Sequence, residues 1–375
     1  MLTQPEGIDP NGSCRSASAV TSIRRQTSVT VQANGTDPFQ KHRVCATPLF
    51  LPRFGMGGAS LGDMHASIPE AQAEATIEAA HAAGISYFDT SPWYGNTKSE
   101  LRLGHVLRTK PRDSFVLSTK VGRVHRRPTD PDSYRHPAWA GGLRFEPHFD
   151  YSRGGVLKSY EMSLARLGLA RVDALLIHDL DPGHLGTGDG VDNAFGQLEL
   201  GGFEALAELK ARREISAIGA GINRTGMIGR FLARFPVDFF LVAMPYTLLD
   251  QSGLEELDLC RDRGISVVIG APFASGILVR GSRGDATYGY RSAPPAILAK
   301  VRGLEGVCAR HNVPLAAAAL RFLFGHPSVI SVIPGPNAPE QVRQNLDWMK
   351  HPIPGALWAD LRQEGLLDPK APTPD

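Results

Sequence analysis

Residues 87–104 read YFDTSPWYGNTKSELRLG. An apolar run closes on Asp89 and passes through a turn rich in Ser, Pro, Gly and Asn. It then opens into a segment whose apolar residues recur three or four apart. That order is a buried strand, a turn and an amphipathic helix. The same unit repeats outward from it. Strand-like runs lie at 53–57, 85–89, 114–120, 172–178, 216–222, 239–244, 265–269 and 329–333. Most are continuously apolar rather than alternating, as strands buried on both faces are. Helix-like stretches lie between them at 69–83, 98–107, 155–167, 202–212, 225–235, 253–263 and 339–349, with two more at 296–311 and 314–324. The first ends at Gly84, a residue suited to a left-handed cap. The repetition predicts an α/β fold, a (β/α)8 TIM barrel with extra helices and long loops on the C-terminal face.

The chain has 375 residues, 42% apolar and 21% charged, enough apolar side chain for one large core. Residues 48–366 are read as the barrel, 1–47 as an extension outside the core and 367–375 as a tail. The extension is rich in Ser, Thr, Asn, Gln and Gly and lacks an apolar period. It reads first as an inert appendage; its arginines leave organellar targeting as an alternative to a cytoplasmic location. Forty basic against 38 acidic residues give a formal charge of +2, no field for binding nucleic acid or anionic membrane. Charged, Pro or Gly residues interrupt every apolar stretch before the roughly 18 residues of a membrane span. Cys14, Cys45, Cys260 and Cys308 are scattered without metal-ligand spacing, so no metal is expected and a reducing compartment fits.

Three long strand-to-helix connections, 122–152, 179–201 and 274–295, open on the C-terminal face, where barrel active sites sit. Asp89, Lys120 and His178 end successive strand runs, and Tyr94 follows the first of them. A barrel brings such ends to one mouth. A lysine beside a tyrosine favours the phenolate, an aspartate can hold the lysine, and a histidine can orient a substrate oxygen. Each residue alone also has a structural reading, as ion pair, packing ring or satisfied core histidine. Trp93 is either a wall of the substrate pocket or rim packing. Arg123, Arg126 and Arg127 read first as a solvated basic loop, with recognition of an anionic substrate as the alternative. Gly57 and Gly58, in FGMGGASLG, permit close approach of a ligand or a tight strand exit.

From about residue 51 to 349 these segments resemble the aldo-keto reductase superfamily, through YFDTSPWYGNTKSELRLG and the order of the strand-end residues. The resemblance implies that Asp89, Tyr94, Lys120 and His178 form the catalytic group. It also implies that SVIPGPNAPEQVRQN is the loop and helix holding a dinucleotide, with Gly335, Pro336, Asn337, Gln341, Gln344 and Asn345 around the adenosine phosphate. A helix N-terminus with free N–H groups suits a phosphate. Gly57 and Gly58 would touch the cofactor, and Asn223 would hold the carboxamide, one residue out of register. The family's stacking Tyr is replaced by Gly270, Ala271, Pro272 and Phe273.

Reductases that select the 2′-phosphate carry Lys or Arg where this chain has Gly335 and Gln341, so NAD is expected ahead of NADP, with Arg343 a neighbouring cation that could compensate. The GAPF segment and the IPGPNAPEQVRQN loop resemble the aldose 1-dehydrogenases, a subgroup with L-fucose, D-threo-aldose, L-galactose and pyridoxal 4-dehydrogenases. The implied reaction oxidises a cyclic hemiacetal, a small aldose or pyridoxal, to a lactone by hydride transfer to NAD. Two alternatives stay open. One is an NADPH-dependent carbonyl reductase; the other is a cofactor-binding regulatory subunit resembling those of potassium channels.

Overall fold

A computed structural model describes residues 37–64, 66–186, 188–283, 286–289 and 291–374. Those residues belong to one compact unit, and the expectation for residues 1–36 lies outside them. The strands are β1 (Lys41–Arg43), β2 (Phe50–Pro52), β3 (Met56–Gly57), β4 (Tyr87–Asp89), β5 (Val116–Val121), β6 (Arg123–Arg126), β7 (Glu146–Phe149) and β8 (Ala174–His178). They continue with β9 (Ala217–Ile222), β10 (Phe239–Ala243), β11 (Ser266–Gly270), β12 (Thr287–Tyr288), β13 (Arg291–Ser292) and β14 (Val329–Ile333). Eight of them make one parallel sheet in the order β14-β11-β10-β9-β8-β5-β4-β3. A parallel bridge between Phe54 and Val332, with Gly57 N–H donating to the Pro334 carbonyl at 2.9 Å, brings the two ends together. The sheet therefore closes into the barrel expected from the repeat.

The helices on its outside are α1 (Glu70–Ala82), α2 (Lys98–Leu107), α3 (Arg153–Leu167), α4 (Pro182–Leu185), α5 (Gly188–Gln197), α6 (Phe203–Ala211) and α7 (Met227–Leu232). Then come α8 (Leu254–Asp262), α9 (Ile277–Arg280), α10 (Pro295–Arg310), α11 (Leu315–Phe322), α12 (Pro339–Lys350) and α13 (Gly355–Gln363). Ser152 caps α3 by accepting from Gly155 N–H, and Gly168 ends it at φ 62°.

Four expectations need correction. Residues 37–47 do not stay outside the core: β1 and β2 pair antiparallel, and Val44, Leu49 and Leu51 bury against Tyr87, Leu176, Phe239, Val268 and Ile333 inside the barrel. The run looked polar because Lys41, His42 and Arg43 of β1 stay at least partly exposed and Val44 beside them enters the core. The stretch 367–375 is not a loose tail either. Leu367 and Ala371 join the core, and Asp368 N–H donates to Gln251 Oε1 at 3.2 Å. The connection 179–201 is largely helical, since Val191, Ala194 and Phe195 give glycine-rich α5 a buried face, with Phe195 edge-on to Phe231 at 5.1 Å. The predicted helix 225–235 shrinks to α7, which starts after Gly226 in the left-handed region (φ 87°).

Candidate active site

β4, β5 and β8 are neighbours in the sheet, so their C-terminal ends place Asp89, Lys120 and His178 on one arc of the mouth. Lys120 Nζ donates to Asp89 Oδ2 at 2.6 Å and to the Thr90 carbonyl at 2.7 Å. The other carboxylate oxygen accepts from the Ser118 hydroxyl at 2.7 Å. The pair is buried, and burial pushes the Asp89 carboxyl up against the opposing pull of Lys120 and Ser118. A buried pair with every partner in place is costly to break by removing one member.

Tyr94 completes the group from the turn after β4. Lys120 Nζ lies 4.6 Å from the centre of its ring, and the His178 ring stands edge-on to it at 5.7 Å. The turn is held in an unusual conformation, with Asn96 at φ 49° and Thr97 at φ 82°. A β-branched residue there costs on the order of 1–3 kcal/mol and persists only where its surroundings enforce it. The enforcement comes from the loop after β5. Asn96 Nδ2 donates to the Leu143 carbonyl (3.0 Å), Leu143 N–H donates to the Gly95 carbonyl (2.9 Å), and Lys98 Nζ bridges Asp63 Oδ2 (2.7 Å) and the Gly141 carbonyl (3.1 Å). The same loop brings Trp139 edge-on to both Tyr94 (6.1 Å) and Trp93 (5.2 Å). Trp93 is thus packed among Trp139, His136 and Arg123.

His178 is buried. Its Nδ1 lies 3.0 Å from Ser91 Oγ and 3.2 Å from Arg123 Nη1. Burial first, then the cations of Lys120 and Arg123, hold its pKa well below the ordinary histidine value, against the pull of Asp179. The ring is therefore neutral at physiological pH. Asp179 follows it at φ 51° and pairs with Arg123 at 2.8 Å. Burial alone would raise the Asp179 carboxyl, but the positive charge around it, with Arg123 in direct contact, outweighs burial and brings it down.

Arg123 corrects the reading of a solvated basic loop. Only 4% exposed, it lies between the rings of Trp93 (4.7 Å) and Phe149 (4.5 Å), because the hairpin β6–β7 folds over the mouth. Arg126 and Arg127 remain exposed. Neither Asp179 nor Ser91 was singled out from sequence. Asp179 was visible as the acid after His178, but an aspartate at a loop start has many ordinary uses.

A cavity is bounded by Tyr94, Lys120, His178, Gly221, Asn223 and Leu241. A Cβ on Gly221 would sit 3.3 Å from the His178 ring, so a side chain there would crowd this space. Asn223 Nδ2 donates to Asp179 Oδ1 at 2.5 Å, which fixes the amide on the wall. Farther round, the loop from β14 to α12 is tied down by Ser60 Oγ and Gln72 Nε2, which donate to the Pro336 (2.9 Å) and Asn337 (2.7 Å) carbonyls. Gly335 is exposed, and a Cβ on it would come 3.2 Å from Ser60 Oγ and 3.4 Å from the Gly57 carbonyl. The N-terminus of α12, which no side chain caps, follows this loop and fits the phosphates of a dinucleotide.

The other predicted cofactor residues divide. Gly57 and Gly58 are glycines for packing, since a Cβ would lie 2.9 Å from the Ile333 and Asp89 carbonyls respectively. Gln341 Oε1 accepts from Asn337 N–H at 2.9 Å, and Gln344 is exposed. Asn345 is buried on the inner side of α12. Gly270 ends β11, and the loop beyond it holds Ala271, Ala274 and Ser275 at positive φ. Pro272 is buried there, while Phe273 turns to Trp348 of α12, 5.8 Å away, and supports the loop.

The aldo/keto reductase family matches residues 53–363. Pyridoxal 4-dehydrogenase of Microbacterium luteolum is 38% identical over 88% of this chain and 98% of its own. D-threo-aldose 1-dehydrogenase of a Pseudomonas species is 35% identical over 88% and 97%. Among solved structures, an aldo-keto reductase from Bacillus halodurans in its holo form superposes with a TM-score of 0.69 at 24% identity, over 88% of this chain and 97% of that one, a likeness of fold. The match over most of the barrel makes this chain a member of the aldo/keto reductase family, an oxidoreductase that works with NAD(P).

Proposed function

We propose that the protein oxidises a cyclic hemiacetal, pyridoxal or a small aldose, to the lactone, with NAD as acceptor and Asp89, Tyr94, Lys120 and His178 as the catalytic group. The observation that carries this reading is the convergence of Tyr94, the Lys120–Asp89 pair and a neutral His178 on one cavity. The kinship with pyridoxal 4-dehydrogenase and D-threo-aldose 1-dehydrogenase supports the substrate class.

A bound nicotinamide supplies the acceptor for the hydride that leaves the anomeric carbon. Tyr94 removes the hydroxyl proton, with the Lys120 ammonium beside its ring favouring the phenolate and Asp89 keeping that ammonium in place. His178, uncharged, donates a hydrogen bond to the same oxygen and sets its angle. Trp93 and Trp139 form an apolar wall against which a pyridine ring or a sugar face packs. Asn223 holds the carboxamide from the cavity wall. Gly335, Pro336, Asn337 and the first turn of α12 receive the adenosine phosphates.

NAD is favoured over NADP by charge. Gln341 is spent on Asn337 N–H, and Arg343 pairs with Glu340 at 3.3 Å, so neither offers an uncompensated cation to a 2′-phosphate. Replacing Gln341 with Arg is expected to raise kcat/KM for NADP about tenfold, measured as initial rates with each cofactor. The partner is a small molecule. Cys260 and Cys308 are buried free thiols, in keeping with a reducing, cytoplasmic location.

The deciding experiment follows reduction of NAD and NADP by purified protein with pyridoxal, L-fucose, D-arabinose and L-galactose offered separately. Turnover of one of them with NAD establishes the reading and selects its branch. Consumption of NADPH on simple aldehydes, with no oxidation of any hemiacetal, replaces it with the carbonyl reductase.

A further inference from the structure

The hairpin β6–β7 puts a permanent cation against the catalytic histidine, and the cation is already neutralised. Arg123 Nη1 lies 2.8 Å from Asp179 Oδ2 and 3.2 Å from His178 Nδ1, and the guanidinium lies over the rings of Trp93 and Phe149. Arg123 spends its Nη1 on Asp179 and His178. Its remaining consequence is for the ring beside it. A guanidinium carries only donors, so the nitrogen it faces must accept. Ser91 Oγ, 3.0 Å from the same nitrogen, already accepts from Trp93 N–H and can turn its own hydrogen to Nδ1. Arg123 therefore requires a bare Nδ1, and Ser91 is free to donate to it. A neutral imidazole then has its hydrogen on Nε2, which lies 3.5 Å from Asp179 Oδ2, outside ordinary hydrogen-bond reach and open to another acceptor.

We propose that Arg123 and Ser91 are positioning residues that hold His178 as its Nε2–H tautomer, so that His178 enters the reaction only as a hydrogen-bond donor to the substrate oxygen. This rests on the catalytic assignment of His178 made above. With Nδ1 occupied, His178 has no lone pair to offer the substrate, and proton removal falls to Tyr94 alone. The arrangement also couples two loops: Ser91 lies on the Tyr94 turn and Arg123 on the hairpin over the mouth, so a shift of either changes the histidine they share. Charged or titratable groups facing the ring are Lys120 from β5, Arg123 from β6, and Asp179 and His184 from the segment after β8, with the Tyr94 ring edge-on to it.

The test is the 15N spectrum of ring-labelled histidine in the full chain, with His178 assigned by its loss in His178→Gln. Nitrogen shifts distinguish a protonated from a bare ring nitrogen, and they do so whether or not a substrate has been found. The expected result is a bare Nδ1 and a protonated Nε2 near neutral pH. Protonated Nδ1 in the unsubstituted protein overturns the proposal without touching the hemiacetal reading; absence of turnover with every hemiacetal overturns that reading without touching the tautomer. Arg123→Gln and Ser91→Ala are expected to mix the two tautomers and lower kcat about tenfold or more, with KM for NAD unchanged. In Arg123→Gln the acid limb of kcat/KM is expected to move to higher pH, because a cation that depresses His178 is gone. Arg123→Lys, which keeps the donor and the charge, is expected to restore the tautomer and part of kcat. A single unchanged tautomer and an unchanged acid limb in both Arg123→Gln and Ser91→Ala would also overturn it, leaving Arg123 as packing only.

Discussion

Tyr94, Lys120 and His178 share a cavity, Asp89 stands behind Lys120, and three of these four side chains are held in place by named neighbours. Lys120 is fixed by Asp89 and the Thr90 carbonyl, Asp89 by Ser118, and His178 by Ser91 and Arg123. The main four were legible in the sequence because their order along the chain maps onto neighbouring strands. Their supports were not, because Ser91 and Ser118 look like any turn or strand serine, and Arg123 sits in a basic run that solvation explains equally well. Tyr94 is the proton acceptor in the proposed reaction. Tyr94→Phe is therefore expected to lower kcat by about 10²–10⁴ while leaving the affinity for NAD, read by fluorescence titration, within about twofold. Turnover retained at the original rate would remove Tyr94 from proton transfer.

Among the elements, the parallel strands and most helices were visible as apolar runs and stripes, and the hairpins were not. The hairpin β1–β2 spans only three residues per strand, too few for a period to show, and its meaning is tertiary. It closes the N-terminal end of the barrel by inserting Val44, Leu49 and Leu51 among Tyr87, Leu176, Phe239 and Ile333. The hairpin β6–β7 was equally hidden in a segment full of proline and arginine, yet it covers the catalytic face. One hairpin thus supports stability and the other the site, at opposite ends of the same strands. Leu51 is completely buried, so Leu51→Ala is expected to cost about 2–5 kcal/mol in urea unfolding. The kinetic constants of the folded variant should stay close to those of the parent, since the plug lies at the end remote from Tyr94. A variant that loses kcat while remaining fully folded would show that the two ends are coupled.

Taken whole, the molecule keeps several histidines neutral inside its core, and this sets how it responds to acid. Burial lowers His178 and His326, and burial with the charges of Arg166 and Arg123 brings His125 down to about 3. Among the described residues, neither ring nitrogen of His125 has a hydrogen-bond partner. Each such group takes up its proton more readily in the unfolded chain, near the ordinary value of about 6.5, than in the folded one. The stability it supports is complete above that pH and is lost as pH falls toward the folded value. His184 works the other way: burial would lower it, but Asp181 and Asp179 raise it, so it adds stability as pH falls through the same range. Burial lowers His42 and His136 as well, so one gain against five losses leaves a net decline. Asp63, Glu70, Asp179 and Asp181, all held below their ordinary values, extend that decline once pH drops below about 4. Unfolding free energy from urea titrations is thus expected to be level near pH 7 and to fall below about 6.5. The contribution of each suppressed histidine is of order 1.4 kcal/mol per pH unit. His125→Phe keeps the ring's bulk and removes one titrating group, so its curve should be shallower between about pH 6 and 4 by one proton's slope. Parallel curves for the variant and the parent would mean that His125 is already protonated in the folded barrel, paired with an acceptor that compensates its burial.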